Sequence, residues 1–597
     1  MYYYSNHDCI ACRRCVEVCP VGAPAFDGDK FSIDPEKCIG CGACAAACTG
    51  KAIFPSDYVE PEKPQPGREV RSVSCDVLII GSGPAGLTAA ARQREKGRNV
   101  IVLEAAKLPG GAGVHATGYN TFDTKWQKDA GTPSYLDDYV RGAMTATKNQ
   151  LNYQFIRNAF QANSRFFDWF CTFGEAEKCF FMVDSPLGKQ IQMDFAKPAG
   201  RFMMEKLIAY CEKLGVDLRL EHAAKQFLKS GDKIIGVLAD SPAGPLAVSF
   251  RACLVATGNM CENPELYKYL PEFAHAEKIR TAHRSPYATG DGVRMVEEAG
   301  IPVDIAGIQS HYLGAMPLWF DGHVLKQGLR PEGLRVNQKG QRFISEGVDR
   351  FEAVDILLKQ PGCVSYNIVD SNLLNMEIQP TIKPKAGSGL RLSDSIPVPG
   401  EPVQVVNFMG IPVTMGEDGK PIKTPMDGPE ETRGMGNYPP GSKPDPERLR
   451  GYARNLKNNH VCAADTLEEL AQQMEVPCET LKATVERYNE LCRKGCDEDF
   501  GKYPQYLIPL EQGPYYAFKC FLGTDGVFGG IFVDNGCRIV KEETPVSGLY
   551  AAGDLTSGNY IKENSHRTEV INDFTWALAS GFLASSSMDE DFEAQII

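Results

Sequence analysis

Two cysteine runs of the same spacing stand in the first 48 residues, Cys9-x-x-Cys12-x-x-Cys15-x-x-x-Cys19 and Cys38-x-x-Cys41-x-x-Cys44-x-x-x-Cys48. Three thiolates at this spacing wrap one side of a four-iron cubane, each reaching a different iron from one tight turn. The fourth ligand comes from the other run. The spacing therefore assigns Cys9, Cys12, Cys15 and Cys48 to one [4Fe–4S] cluster and Cys38, Cys41, Cys44 and Cys19 to a second. Zinc is the competing reading of clustered cysteines. Its sites space their ligands as separated pairs with longer gaps, which neither run matches.

The whole chain, at 597 residues, is too long for one core and predicts roughly two to four domains. Its net charge of −13 argues against nucleic acid or an anionic membrane surface as partner. Apolar runs such as Val77–Ile80 and Cys253–Ala256 are too short to span a bilayer, so no integral membrane segment is expected. The start, MYYYSNHDCI, has neither the basic nor the apolar region of a signal peptide, and a cytoplasmic location is expected. The other thirteen of the 21 cysteines are scattered, mostly beside apolar neighbours, as at Cys75, Cys211, Cys253 and Cys520. They read as inert buried thiols in a reducing compartment, not as a disulfide framework.

After the cysteine-rich domain, residues 1–58, the prolines and charges around Val59–Arg68 predict an extended linker over 59–74. Alternating β and α signals follow. The stretch Pro361–Lys443, rich in Pro and Gly, reads as long loops or an insertion. Helical patterns return at Thr466–Met474 and Cys478–Cys496, and Tyr550–Leu583 reads as strand, glycine turn and closing helix. The aromatic-rich Phe166–Phe181 stretch is expected in the core.

A phosphate-binding signature stands where the alternation begins. Gly81-Ser-Gly83-Pro84-Ala85-Gly86 follows the strand Val77–Ile80 and opens a helix over Ala85–Lys96. Gly81 permits the tight turn, Gly83 lets backbone approach a pyrophosphate, and Gly86 lets helix and strand pack closely. A second strand, Asn99–Leu103, ends in Glu104, 23 residues past Gly81, where a carboxylate can hold ribose hydroxyls. Two later strand ends, Leu254-Val-Ala-Thr257-Gly258 and Gly548-Leu-Tyr-Ala-Ala-Gly553-Asp554, are similar to the segments that close over FAD in two-dinucleotide-binding flavoproteins. That resemblance puts Asp554 on the ribityl chain; a helix cap is the competing reading.

The first segment resembles bacterial two-[4Fe–4S] ferredoxins, with Pro20 after Cys19 as their signature has and Thr49 after Cys48 where proline is also common. From Cys75 onward the chain resembles the flavoproteins of fumarate reductase, succinate dehydrogenase and adenylylsulfate reductase. The carrying motifs are Gly110-Gly111-Ala-Gly113 with Ala116-Thr-Gly118, Ala288-Thr-Gly290-Asp291-Gly292, Gln309-Ser-His311, Arg330-Pro-Glu332-Gly333 and Gly340-Gln-Arg342-Phe343. Thr484-Val-Glu-Arg-Tyr488-Asn489, Asp497–Gly501 and Gly513-Pro-Tyr-Tyr516-Ala complete the set.

This resemblance implies an α/β plus α+β fold. It comprises a ferredoxin-like 2[4Fe–4S] domain and a Rossmann-like FAD-binding domain (75–305 and 508–597), with a capping domain (306–507) inserted into it. The small unsaturated substrate would sit between cap and flavin, a common place for a pocket. FAD contacts would come from Gly81, Gly83, Pro84, Ala85, Gly86, Glu104, Gly111, Gly118, Thr257, Gly258, Gly553 and Asp554. By position Arg350, eight residues after Arg342, matches the proton-donor arginine of fumarate reductases, and His311 matches a histidine on a substrate carboxylate. Arg330, with Arg335 and His311, would supply the field that presses a proton from Arg350. A core histidine at 311 and an Arg350–Glu346 salt bridge across one turn are the competing readings.

Departures accompany the match. Gln327 replaces the proton-relay glutamate three residues before Arg330. Gly526-Val-Phe-Gly529-Gly530 stands where a second substrate histidine is expected, and Ser565-His566-Arg567-Thr568-Glu569 replaces an Asn-Arg-Leu-Gly-Gly-Asn. The dicarboxylate clamp is incomplete. Ala112 occupies the position of the histidine that tethers FAD in succinate dehydrogenase, so FAD is expected to be non-covalent. The expected activity is reduction of an activated C=C bond of an unsaturated carboxylate or carbonyl compound, with electrons passing from clusters to FAD. Adenylylsulfate-reductase-like chemistry and a non-catalytic electron-transfer subunit are the alternatives. Without a second GxGxxG and acid, the donor is expected to be ferredoxin-like or a partner redox subunit in a homo- or hetero-oligomer.

Overall fold

The computed structural model describes residues 3–5, 14–17, 19, 21–27, 30–38, 44, 53–55, 70–116, 118–132, 136–146, 152–185, 188–193, 199–231, 233–260, 263, 279–281, 288–317, 328, 330–348, 352–376, 381–384, 403–406, 446–456, 459–556 and 573–597. Near the start, Tyr3–Ser5 pairs antiparallel with Ile53–Pro55, and Pro24–Asp27 with Lys30–Ile33. Cys15, Ala23, Ile33, Cys44 and Ile53 form one small buried core, with Cys19 and Cys38 packed against it. Thiols of both runs therefore share a single core. Cys9, Cys12, Cys41 and Cys48 lie outside the described residues.

The main body begins with β1 (Val77–Ile80), α1 (Pro84–Glu95) and β2 (Val100–Glu104). It continues through α2 (Tyr153–Cys171), β3 (Asp217–Leu220) and β4 (Ala252–Val255). Helix α1 starts one residue earlier than its apolar pattern predicts, because Pro84 takes the first helical turn behind Gly83. Strands β1, β2 and β4 are buried along their whole length, the mark of a parallel sheet covered on both faces. Each fully buried Val, Leu or Ile there contributes about 1.5–3 kcal/mol.

Next come α3 (Asp291–Glu298), β5 (Val303–Pro317), β6 (Leu334–Val336), β7 (Val364–Asp370) and β8 (Val461–Ala464). The last are α4 (Leu467–Met474), α5 (Cys478–Lys494), β9 (Tyr515–Ile531), β10 (Arg538–Lys541), β11 (Thr544–Ala551) and α6 (Asp573–Glu593). The first sheet runs β3-β2-β1-β4-β11-β10, parallel except for β10. Helix α6 lies so close to α1 that a Cβ on Gly581 would meet the Ala85 carbonyl oxygen at 2.3 Å. Helix α2 buries Phe166, Phe167 and Phe170 completely, as its aromatic run predicts. Cys75, Cys211, Cys253 and Cys520 are buried thiols, whereas Cys496 is exposed.

Three expectations change. The last residues of the expected linker, Arg71–Ser74, form a strand parallel to Leu246–Ser249. The first part of Pro361–Lys443 is no loop: β7 is a strand with all 7 residues buried. Its polar residues break the apolar pattern, and tertiary partners engage two of them. Asn367 donates to the Arg330 carbonyl at 3.3 Å, and Asp370 caps the short helix Ser371–Asn375 while accepting from the Glu511 and Gln512 amides. Third, the second sheet crosses the boundaries expected at 305/306 and 507/508. Strand β9 pairs with β7 and β8 through one half and with β5 and Ile279–Thr281 through the other. Among the described residues no helix is long and apolar enough to cross a membrane.

A buried ionic clasp holds the turn after β6. Arg342 grips Glu346 (Nε–Oε1 3.0 Å, Nη2–Oε2 2.8 Å) and Asp497 (Nη1–Oδ1 3.0 Å, Nη2–Oδ2 2.8 Å). Lys502 donates to the Gly333 carbonyl (2.8 Å) and the Tyr488 hydroxyl (2.7 Å), and stands 3.3 Å from Glu346 Oε2. Burial pushes the Lys502 ammonium down to about 8 although Glu346 pulls the other way. Burial alone would raise the Glu346 carboxyl, but Lys502 and Arg342 outweigh it and hold it below its ordinary 4.5. A depressed carboxyl stabilises the fold fully above its unfolded value and loses that contribution as pH falls through the folded one. Glu346→Gln should therefore cost about 3–5 kcal/mol at neutral pH, by stranding buried cations. Its deficit against wild type should shrink below pH 4.5; denaturant titrations across pH 3–7 check this, and a pH-independent gap would contradict it.

Candidate functional site

The C-terminal ends of four neighbouring parallel strands, β1, β2, β4 and β11, converge on one crevice edge, where open α/β sheets bind ligands. Each glycine of the turn after β1 is there for a separate reason. Gly81 has φ +103°, and a Cβ on it would lie 2.3 Å from the Ala256 carbonyl oxygen. A Cβ on Gly86 would lie 1.9 Å from the Gly81 oxygen. Gly83 differs: a Cβ there would meet nothing within 4 Å, so its outer side is open. Pro84 and Ala85 then start α1, whose free N–H groups end at that opening.

Glu104 is fixed beside the turn. Its Oε2 accepts from the Ser82 amide (2.8 Å) and hydroxyl (2.7 Å), and its Oε1 from the Ala106 amide (2.8 Å). Gly111 crosses above Gly83, where a Cβ would stand 3.2 Å from the Gly83 Cα. Gly118, half-buried, leads into Asn120–Thr121. At the end of β4 the Thr257 hydroxyl is buried without a partner, against Gly292 at the start of α3, and Gly258 (φ +77°) is open. At the end of β11, Gly553 (φ +86°) is held by Ser580, Thr556 and Trp576. Asp554 accepts from Asn259 at 3.2 Å, which ties the β11 end to the β4 end. Two open glycines, an orphaned buried hydroxyl and a helix N-terminus fit a dinucleotide lying across the strand ends.

The sulfur donors fit iron. Cys15, Cys19, Cys38 and Cys44 share one core without a disulfide, and the Ala23 amide donates to Cys19 Sγ at 3.4 Å. Such N–H···S bonds are a usual part of a cluster's surroundings.

Of the expected catalytic residues, Arg330 is the one whose side chain is described. It is 1% exposed, pairs with Glu332 (3.2 Å), and donates to the Leu373 and Met376 carbonyls. Burial pulls its guanidinium down, against the attraction of Glu332. These bonds make it a brace beneath the turn. His311 lies on β5 directly opposite Gly526, the position where the resemblance leads one to expect a second histidine. Its side chain, Arg350, Gln327 and residues 565–569 lie outside the described residues. The Glu346 carboxylate accepts from Arg342, Lys502 and the Arg335 amide, which leaves little capacity for an Arg350 salt bridge. Sequence reasoning singled out Asp497 only as the start of a motif and missed its bond to Arg342, and it missed Lys502, which no local pattern marks.

Comparison with known proteins agrees with this geometry. The FAD binding domain family matches residues 76–565, and the 4Fe-4S dicluster domain matches residues 1–49. The chain belongs to the fumarate reductase/succinate dehydrogenase flavoprotein family. Similar proteins include NADH:fumarate oxidoreductase of Klebsiella pneumoniae (strain 342), 23% identical over 82% of this chain and 45% of that protein. The chain thus spans less than half the length of that relative. Vinyl phenol reductase of Lactiplantibacillus plantarum is 24% identical over 81% of this chain and 90% of its own length. The open conformation of a flavocytochrome c3 fumarate reductase shares the fold, with a TM-score of 0.63 at 22% identity over 87% of this chain and 78% of the other.

In this flavoprotein Glu104 stands where the ribose acid is expected. Glu104→Ala should weaken FAD binding about tenfold or more, since a charge-assisted contact is lost. Fluorescence titration of the apoprotein checks it, and unchanged affinity in a folded variant would remove Glu104 from the cofactor site.

Proposed function

We propose that this protein reduces the activated C=C bond of an unsaturated carboxylate or carbonyl compound, taking single electrons through two [4Fe–4S] clusters. One observation carries the reading: a dicluster cysteine module and a dinucleotide crevice of the fumarate reductase family stand on one chain. Relatives named for reactions on fumarate, vinyl phenol, acrylate and urocanate support this, since all four are C=C compounds, and another is named 4-oxocyclohexanecarboxylate 2-dehydrogenase, which points to the same CH–CH chemistry in reverse. FAD bound in the crevice supplies two-electron hydride chemistry, and the clusters supply one-electron carriage.

The chain's own residues divide the remaining work. Gly83, Gly258 and the α1 N-terminus cradle the pyrophosphate, and Glu104 and Asp554 hold its sugar hydroxyls. The architecture is a Rossmann-like domain with an inserted cap, and substrate lies between them. His311 donates to a substrate oxygen. Arg350 gives the proton to the carbon that does not receive hydride, and Arg330, braced by Glu332, keeps the turn in place. Gln327 has no acidic proton, so it orients and does not relay. FAD is bound without a covalent link, and the electron donor is a ferredoxin-like protein or partner redox subunit in the cytoplasm.

Purified protein should hold about eight iron and eight labile sulfide per chain, and acid precipitation should release intact FAD. Half that iron, or stoichiometric zinc, would count against two clusters. The reaction itself is tested by adding unsaturated acids and ketones to dithionite-reduced protein and following flavin reoxidation. Arg350→Gln should lower that rate about a hundredfold to ten-thousandfold, the usual worth of a general acid, while clusters and flavin still reduce. Near-normal turnover would take the proton-donor role away from Arg350.

A further inference from the structure

Strand β6 has two unlike faces. Leu334 and Val336 point into an apolar core with Tyr366 and Ile368, so alternation places Arg335 on the opposite face. There it stands across from Asn367 of β7, and on the same face Ser365 pairs with Cys520 of β9. Cys520 and Leu522 belong to the buried cluster that includes β1, β2 and β4. This face is therefore turned toward the domain that carries the cofactor crevice.

The environment of Arg335 is unusual for a cation. It is 7% exposed, its Nη2 donates to the Gly328 carbonyl at 3.1 Å, and its Nε is buried without a partner. Among the described residues no carboxylate pairs with its side chain. Glu332 is taken by Arg330, and Glu346 accepts the Arg335 amide but gives its side-chain contacts to Arg342 and Lys502. On the adjoining strand the Ser365 hydroxyl is also buried without a partner. Buried guanidinium groups are normally paired, because desolvation without a counter-charge is strongly unfavourable. An unpaired cation beside an unpaired hydroxyl is a site short of one anion.

We propose that Arg335, with Ser365 beside it, receives the carboxylate of the substrate and makes the enzyme selective for unsaturated monocarboxylic acids. The inference rests on the C=C-reductase reading and extends it to a substrate class. A guanidinium fork matches a carboxylate in shape and charge, and the serine supplies a further donor. One cation suits one carboxylate, in keeping with the glycine opposite His311, where a dicarboxylate clamp would need its second histidine.

The test uses oxidised holoenzyme titrated with 3-phenylpropanoate, a saturated acid that cannot be reduced, or with its methyl ester, read by the visible difference spectrum of the flavin. Reduction of trans-cinnamate against methyl cinnamate is measured in parallel. Wild type should bind and reduce the acid in preference to the ester. Arg335→Gln should weaken acid binding and reduce the acid-to-ester preference about tenfold to a hundredfold, the worth of a hydrogen bond to a charged group. FAD content should stay near normal, and Arg335→Lys should recover part of the loss. Ser365→Ala, a smaller change, should weaken acid binding a few-fold, and it decides the matter where Arg335→Gln loses its flavin. Unchanged acid binding in either folded variant would overturn the proposal. A protein that binds the acid through Arg335 yet reduces neither compound would refute the reductase reading and leave this one standing.

Discussion

The contact between Gly86 and the Gly81 carbonyl sets how near α1 lies to the parallel sheet, and the crevice inherits its dimensions from that contact. No residue with a Cβ can occupy position 86, because the atom would stand 1.9 Å from that oxygen. Gly581 repeats the device on the outer side, bringing α6 against Ala85. Pinched between sheet and α6, α1 has its N-terminus fixed at the strand ends. The open side of Gly83 and the Glu104 carboxylate are aligned by the same clamp. A flavin site built this way is rigid before cofactor arrives, so little ordering entropy opposes binding.

The second sheet is organised by charge as well as apolar contact. Arg342, Glu346, Asp497 and Lys502 are all buried, and Arg330–Glu332 adds another ion pair below the turn. Such pairs add little net stability, since desolvation offsets most of the Coulomb attraction. Their geometry is demanding, however, and that is their use here. Bidentate arginine bonds and a lysine shared by two carbonyls fix the backbone of 332–346, the segment that leads toward Arg350. An apolar packing of equal stability would tolerate small slides of that segment.

What could be read from the sequence was local. Cysteine spacing, the glycine turn and the acid ending β2 are covalent patterns whose meaning depends on neighbours within a few turns; the cysteine runs lie in a matched dicluster domain, and the turn and acid fall where their motif predicts. Strand β7 was illegible because Asn367 and Asp370 look solvent-facing until partners far along the chain are known. Arg71–Ser74 read as linker for the same reason: its partner lies 175 residues on, at Leu246–Ser249. Lys502 carries no periodic signal at all. It matters through contacts to Gly333, Tyr488 and Glu346, which only the tertiary fold brings together.

The electrostatics of the proposed site follow from how its carboxylates are shared out. Glu332 is committed to Arg330 and Glu346 to Arg342 and Lys502, so among the described residues the side chain of Arg335 is left with no carboxylate. A buried cation without a counter-charge is strongly unfavourable, and a positive field attracts an anionic substrate. On the proposed reading the substrate's own carboxylate supplies the missing counter-charge. A substrate without one leaves the guanidinium desolvated and uncompensated, so discrimination by Arg335 is expected in binding.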